Sequence, residues 1–94
     1  MSGKIPIATN KYSSIKEEVT NMGGEISRPF LVTRYLDYVL NDGPGEAEIR
    51  LDEGAPIPLD AGAYIGPWLD FRCSTVYIKC TTQGGSCTVK CVGV

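Results

Sequence analysis

Apolar and polar positions alternate with a period of two over most of the chain beyond residue 28. Between Glu46 and Leu51, Ala47, Ile49 and Leu51 stand against Glu46, Glu48 and Arg50, the pattern of a strand with one buried face. The stretches 71–81 and 87–94 repeat it: Val76, Ile78 and Cys80 share one face of the first, and Cys87, Val89 and Cys91 share one face of the second. Over 28–40, Phe30, Val32, Leu36, Tyr38 and Leu40 fall on one face with Arg34 as the exception, in a segment rich in β-branched and aromatic residues. The turn cluster Asn41-Asp42-Gly43-Pro44-Gly45 then predicts a hairpin between this strand and 46–51. Asp52-Glu53-Gly54 turns the chain again, and Pro56 and Pro58 confine 55–59 to an edge, because neither donates to a ladder.

Gln83-Gly84-Gly85-Ser86 joins the last two strands as a second hairpin. A two-residue turn at Gly84-Gly85 pairs Cys80 with Val89 and Ile78 with Cys91, whereas a six-residue loop sets Cys80 opposite Cys87. Both registers remain open at this level.

Upstream the pattern changes. Ser14 and Glu17 fit a capping box, Gly23-Gly24 offers a stop, and Ile15, Val19 and Met22 recur at i, i+4 and i+7, which predicts one short helix. Residues 1–12 read as an extended arm, since Pro6 disfavours helical geometry at Ile5. The expected organisation is thus an arm and short helix over 1–27 and a β-sandwich over 28–94. The fold class is all-β: a small β-sandwich or jelly-roll-like domain with an extended N-terminal arm and one short helix. Trp68, Phe71, Val76, Ile78, Cys80, Val89 and Cys91 are its expected core. Ile5 and Ile7 are the expected partner-binding residues of the arm, laid along a neighbouring sheet edge.

Composition narrows the function mainly by exclusion. A chain of 94 residues makes one small domain that buries roughly 60–65% of the surface its unfolded form exposes. Net charge is −2 with both signs scattered, so there is no basic stripe to release counterions from a phosphate backbone, and nucleic acid is not an expected partner. The first twelve residues lack the apolar core of a secretory signal, and no apolar run approaches a membrane span; the reading is a soluble protein that stays where it is made. The absence of histidine removes the usual general base, the commonest metal ligand and every Ser-His or Cys-His relay. Asp42, Asp52, Glu53 and Asp60 sit by glycines in turns, where carboxylates cap backbone N–H groups. No enzyme template, catalytic residue or cofactor is expected.

The four cysteines are spaced C-x₆-C, C-x₆-C and C-x₃-C, unlike the close pairs of a zinc knuckle. A Cys80–Cys87 disulfide requires the six-residue loop and suitable Cα separation. The favoured reading is four buried, reduced thiols packed as small apolar side chains. Lys79 and Lys90 alternate away from Cys80 and Cys91, which leaves no cationic setting for a nucleophilic thiolate.

The C-terminal half, with "IRLDEG", then "PIPLDAG", an aromatic break at "PW", and "TVYIKC" and "TVKCVGV" around Gly-Gly, resembles the small all-β head-decoration or cement proteins of tailed bacteriophages. The resemblance implies a non-enzymatic virion protein on the outer capsid surface that oligomerises, as a trimer or other homo-oligomer, and locks major capsid subunits together. An alternative of another class is a receptor- or carbohydrate-binding tail or fibre module, with Trp68, Tyr64 and Tyr77 as a stacking surface.

Overall fold

The computed structural model describes residues 13–32, 34–67 and 71–94. Among them are eight strands: β1 (Ser13–Thr20), β2 (Ile26–Pro29), β3 (Leu36–Pro44), β4 (Ala47–Leu51), β5 (Ile57–Leu59), β6 (Tyr64–Ile65), β7 (Thr75–Cys80) and β8 (Ser86–Gly93). They form two four-stranded sheets, ordered β1-β8-β3-β6 and β2-β7-β4-β5, with every pairing antiparallel.

One rule generates this topology. β1 pairs with β8, β2 with β7, β3 with β6 and β4 with β5, as if the chain were one long hairpin doubled about the Asp52–Gly54 turn. Ile26 meets Ile78 and Val39 meets Ile65, each pair nearly equidistant in sequence from that turn. Rolling the ribbon up then closes the sheets through β3–β8 and β4–β7. An eight-stranded double sheet wound in this way is a jelly-roll sandwich.

Asp52 makes the doubling turn possible. It adopts φ 54°, a left-handed geometry that Asp tolerates better than most residues. Its carboxylate accepts the N–H groups of Ser74 (2.8 Å) and Thr75 (3.0 Å), and its own N–H donates to the Thr75 carbonyl (2.8 Å).

Several local expectations give way to the roll. Ser13–Thr20 is a strand, not a helix: Ile15 pairs with Cys91 and Val19 with Cys87 on the inner face. The same residues that mimic an i, i+4 stripe also alternate, with Glu17 between them as the inward polar position. Residues 13–27 therefore supply β1 and the start of β2. The segment 28–40 is broken, with β2 and β3 in different sheets, and the predicted hairpin with 46–51 does not form because β3 and β4 also lie in different sheets. Nor does the β7–β8 hairpin form, since its strands likewise face each other across the sandwich and neither proposed register applies.

The core lies between the sheets. Val76, Ile78, Cys80, Val89 and Cys91 are all completely buried, with Phe30, Leu36, Val39 and Ile49. Phe71 is not part of it: at 40% exposure it precedes β7, where the bend tied to Asp52 turns Cys73 inward instead. Ile5, Ile7 and Trp68 lie outside the described residues. Among the described residues one polar side chain, Asn41, is fully buried. Its Nδ2 donates to the carbonyls of Gly45 and Leu59 (both 2.9 Å), and its Oδ1 accepts the Gly43 N–H (2.8 Å), so its side chain is hydrogen-bonded on both sides.

Candidate functional site

The cysteines come together in the interior without making a reactive centre. All four are free and buried. Cys80 of β7 and Cys87 of β8 come together across the sandwich, and burial, reinforced by the neighbouring Cys80 thiol, pushes the Cys87 thiol up to about 12. Burial pushes Cys91 up to about 12 as well, with Cys73 as a further contributor. Cys73 is itself raised, first by burial and then by the Asp52 charge, against the lowering effect of backbone hydrogen bonds; its Sγ lies 3.3 Å from the Thr75 carbonyl. Thiols held protonated in this way are poor nucleophiles and poor metal ligands. Among the described residues no group of three or more His, Cys, Asp or Glu side chains is placed to hold a metal ion.

The two outer faces differ sharply. On the β2-β7-β4-β5 sheet, Arg50 makes two hydrogen bonds to Glu25 (2.9 and 3.0 Å) while its guanidinium lies 4.2 Å from the Tyr77 ring centroid. The Arg50 hydrogen bond holds the Glu25 carboxyl below its ordinary range, and Glu48 stands beside Lys79 in the ladder. This is a solvated, charge-balanced face.

The opposite sheet is polar over β1, where Lys16 and Glu18 point outward, and apolar over β3 and β6. Tyr38, Leu40, Tyr64 and Pro67 line an open groove of about 340 Å³. Tyr38 and Leu40 reach this face through a register irregularity between Leu36 and Tyr38. Leu36 and Val39 are therefore both buried, and Tyr38 and Leu40, expected on the inner face with Leu36, turn out. Gly66 packs against that irregularity: a Cβ there would meet the Asp37 carbonyl oxygen. Leu40 pairs with Tyr64 on one side and Lys90 on the other, and Tyr38 pairs with Val92, so the apolar patch extends onto β8.

Tyr64 is 63% exposed on this face, while Tyr77 lies on the other side of the sandwich under Arg50. The two do not share a stacking surface. The groove was legible only in part, because Tyr64 stood out as an aromatic by a turn whereas Tyr38 and Leu40 read as core until the irregularity shifted them.

The site belongs to a jelly-roll sandwich with one charged face and one partly apolar face. No family model matches the chain, and no curated protein matches it. Among solved structures it is similar to the Drosophila NLP core, with a TM-score of 0.51 and 15% sequence identity over 84% of this chain and 95% of that one; that crystal structure is described as providing insight into pentamer formation and histone binding. The likeness is one of fold.

Proposed function

We propose that this chain is a non-enzymatic structural protein that assembles with copies of itself and binds the outer surface of a larger protein shell, acting on a virion as a head-decoration or cement protein with the major capsid protein as partner. The observation that carries the reading is the apolar groove of Tyr38, Leu40, Tyr64 and Pro67 on the partly apolar sheet face, a surface that gains by burial against protein. Cys73, Cys87 and Cys91, whose thiols burial pushes up, are poor nucleophiles. The pentamers of the NLP core support assembly as a use of this fold.

Ile5 and Ile7 are the arm residues that anchor the contact between copies. An extended segment adds main-chain hydrogen bonds while its alternate side chains fill apolar sites. A thin single core also gains stability from any surface it covers.

Light scattering coupled to size exclusion tests the assembly step: a closed oligomer is expected at micromolar concentration, and a monomer at 100-fold higher concentration would sink it. Co-sedimentation with shells of the major capsid protein encoded in the same genome tests the partner. Saturable binding is expected, and a shell that stays bare removes the capsid reading.

A further inference from the structure

We infer that the groove lined by Tyr38, Leu40, Tyr64 and Pro67 is the receptor for the Lys4-Ile5-Pro6-Ile7 segment of a second copy of this chain. The inference rests on the proposed self-assembly and adds the surface that receives the arm.

Three observations select this occupant. The first is chemistry: two tyrosines, a leucine and a proline offer apolar contact to a segment whose Ile5 and Ile7 flank a proline that needs no hydrogen-bond acceptor. Among the described residues β6, at the sheet edge, pairs only with β3, and a strand edge of this kind accepts a further extended segment.

The second is charge. Residues 1–12 hold Lys4 and Lys11 and no acid, which leaves seven basic against eleven acidic residues in the remainder. Asp37 immediately precedes Tyr38, and Asp60 stands in the turn leading to β6. Neither is in an ion pair among the described residues. An arm carrying two lysines is thus matched to a body with an excess of carboxylates, one of which, Asp37, is next in sequence to Tyr38.

The third is direction. β1 and β3 both run antiparallel to β8, and Ser13 and Leu36 both meet Gly93, so the chain preceding Ser13 leaves at the end where β3 begins. The five residues 8–12 span roughly 17 Å when extended. That length lets Ile7 reach a second copy as readily as the groove of the same copy, roughly 14 Å away across three strand spacings, and the isotope pattern of the cross-links distinguishes the two.

The test uses the full chain with p-benzoylphenylalanine at position 7, photolysed in an equal mixture of ¹⁴N and ¹⁵N protein and mapped by tryptic mass spectrometry. Cross-links to the peptides 35–50 and 51–72, about half of them of mixed isotope, are expected. Cross-links elsewhere overturn the groove assignment, and same-isotope products alone place the arm on its own copy and overturn the exchange. In parallel, Tyr64→Lys, at an exposed position, and the double substitution Ile5→Glu, Ile7→Glu are each expected to weaken assembly at least tenfold with unchanged far-ultraviolet circular dichroism. If only the arm variant dissociates, self-assembly through the arm stands and the groove assignment fails. If neither dissociates, or the native chain is monomeric, the underlying reading fails as well.

Discussion

The side-chain amide of Asn41 in β3 donates a 2.9 Å hydrogen bond to the carbonyl of Leu59 in β5, tying one sheet to the other from inside the core. The same nitrogen holds Gly45 and the partner oxygen holds Gly43, so one residue fastens the crossing from β3 to β4. Asn41→Ala strands two carbonyls and an N–H away from water and is expected to cost about 3 kcal/mol. Asn41→Asp keeps the acceptor but sets a negative charge against two carbonyl oxygens, and is expected to cost at least as much at neutral pH. Equilibrium urea unfolding reads both; losses below about 1 kcal/mol would show that the network is not needed.

The register irregularity at Asp37 makes a second, differential prediction. Gly62 (φ 83°) and Gly66 (φ 123°) both adopt geometries that favour glycine, but a Cβ at Gly62 meets nothing within 4 Å, while one at Gly66 collides with the Asp37 carbonyl and with Tyr38. Gly62→Ala is expected to cost about 1 kcal/mol, the conformational penalty alone. Gly66→Ala adds the clash and is expected to exceed about 3 kcal/mol or to displace β6. Equal thermal shifts for the two variants would contradict the packing at β3.

These two sites mark where sequence reasoning stops. Alternation revealed β4, β7 and β8 because each has one face wholly inside, and it found Val76, Ile78, Cys80, Val89 and Cys91 as core. It failed wherever a tertiary partner decides. Glu17 broke the alternation of β1 because its charge is met by Arg28 from β2 at 2.8 Å, a pairing invisible locally, and the remaining apolar spacing then imitated a helix. The hairpins failed because a jelly roll sends β3 and β4, and likewise β7 and β8, to opposite sheets, so the cysteines meet across the core and not along a ladder. Half of the groove was hidden by the shift at Asp37, which no residue type announces.

The buried thiols give stability a defined alkaline limit. Cys87 and Cys91 are raised from 9.0 to about 12 in the folded chain, so the folded state retains protons that the unfolded state has released. Stability is then fully present below pH 9 and is lost as pH rises from about 9 towards 12. Cys91→Val should flatten this slope when melting temperature is followed against pH. Iodoacetamide at pH 8 should leave the native thiols unlabelled and modify all four once urea unfolds the chain; rapid native labelling of Cys87 or Cys91 would contradict their burial.

The Glu17–Arg28 pair yields the last prediction, which separates folding stability from solubility. Their side chains are 29% and 42% exposed, so water screens the pair and its removal should change stability by less than about 1 kcal/mol. Its position gives it another role. Among the described residues β1 is an eight-residue strand at the sheet edge, paired on one side only with β8, and Glu17 is the inward-facing charge between Ile15 and Val19. A charge pointing into an edge resists pairing with a second strand, because the newcomer would have to bury it. Glu17→Val makes that inner row continuously apolar and leaves Arg28 with a partly exposed side chain that water can solvate. The variant is therefore expected to keep its urea midpoint within experimental scatter of the parent while forming large, thioflavin-positive aggregates at concentrations where the parent stays clear. A variant that unfolds at clearly lower urea would assign Glu17 to folding, and one that stays clear would show that the β1 edge is protected by something other than this charge.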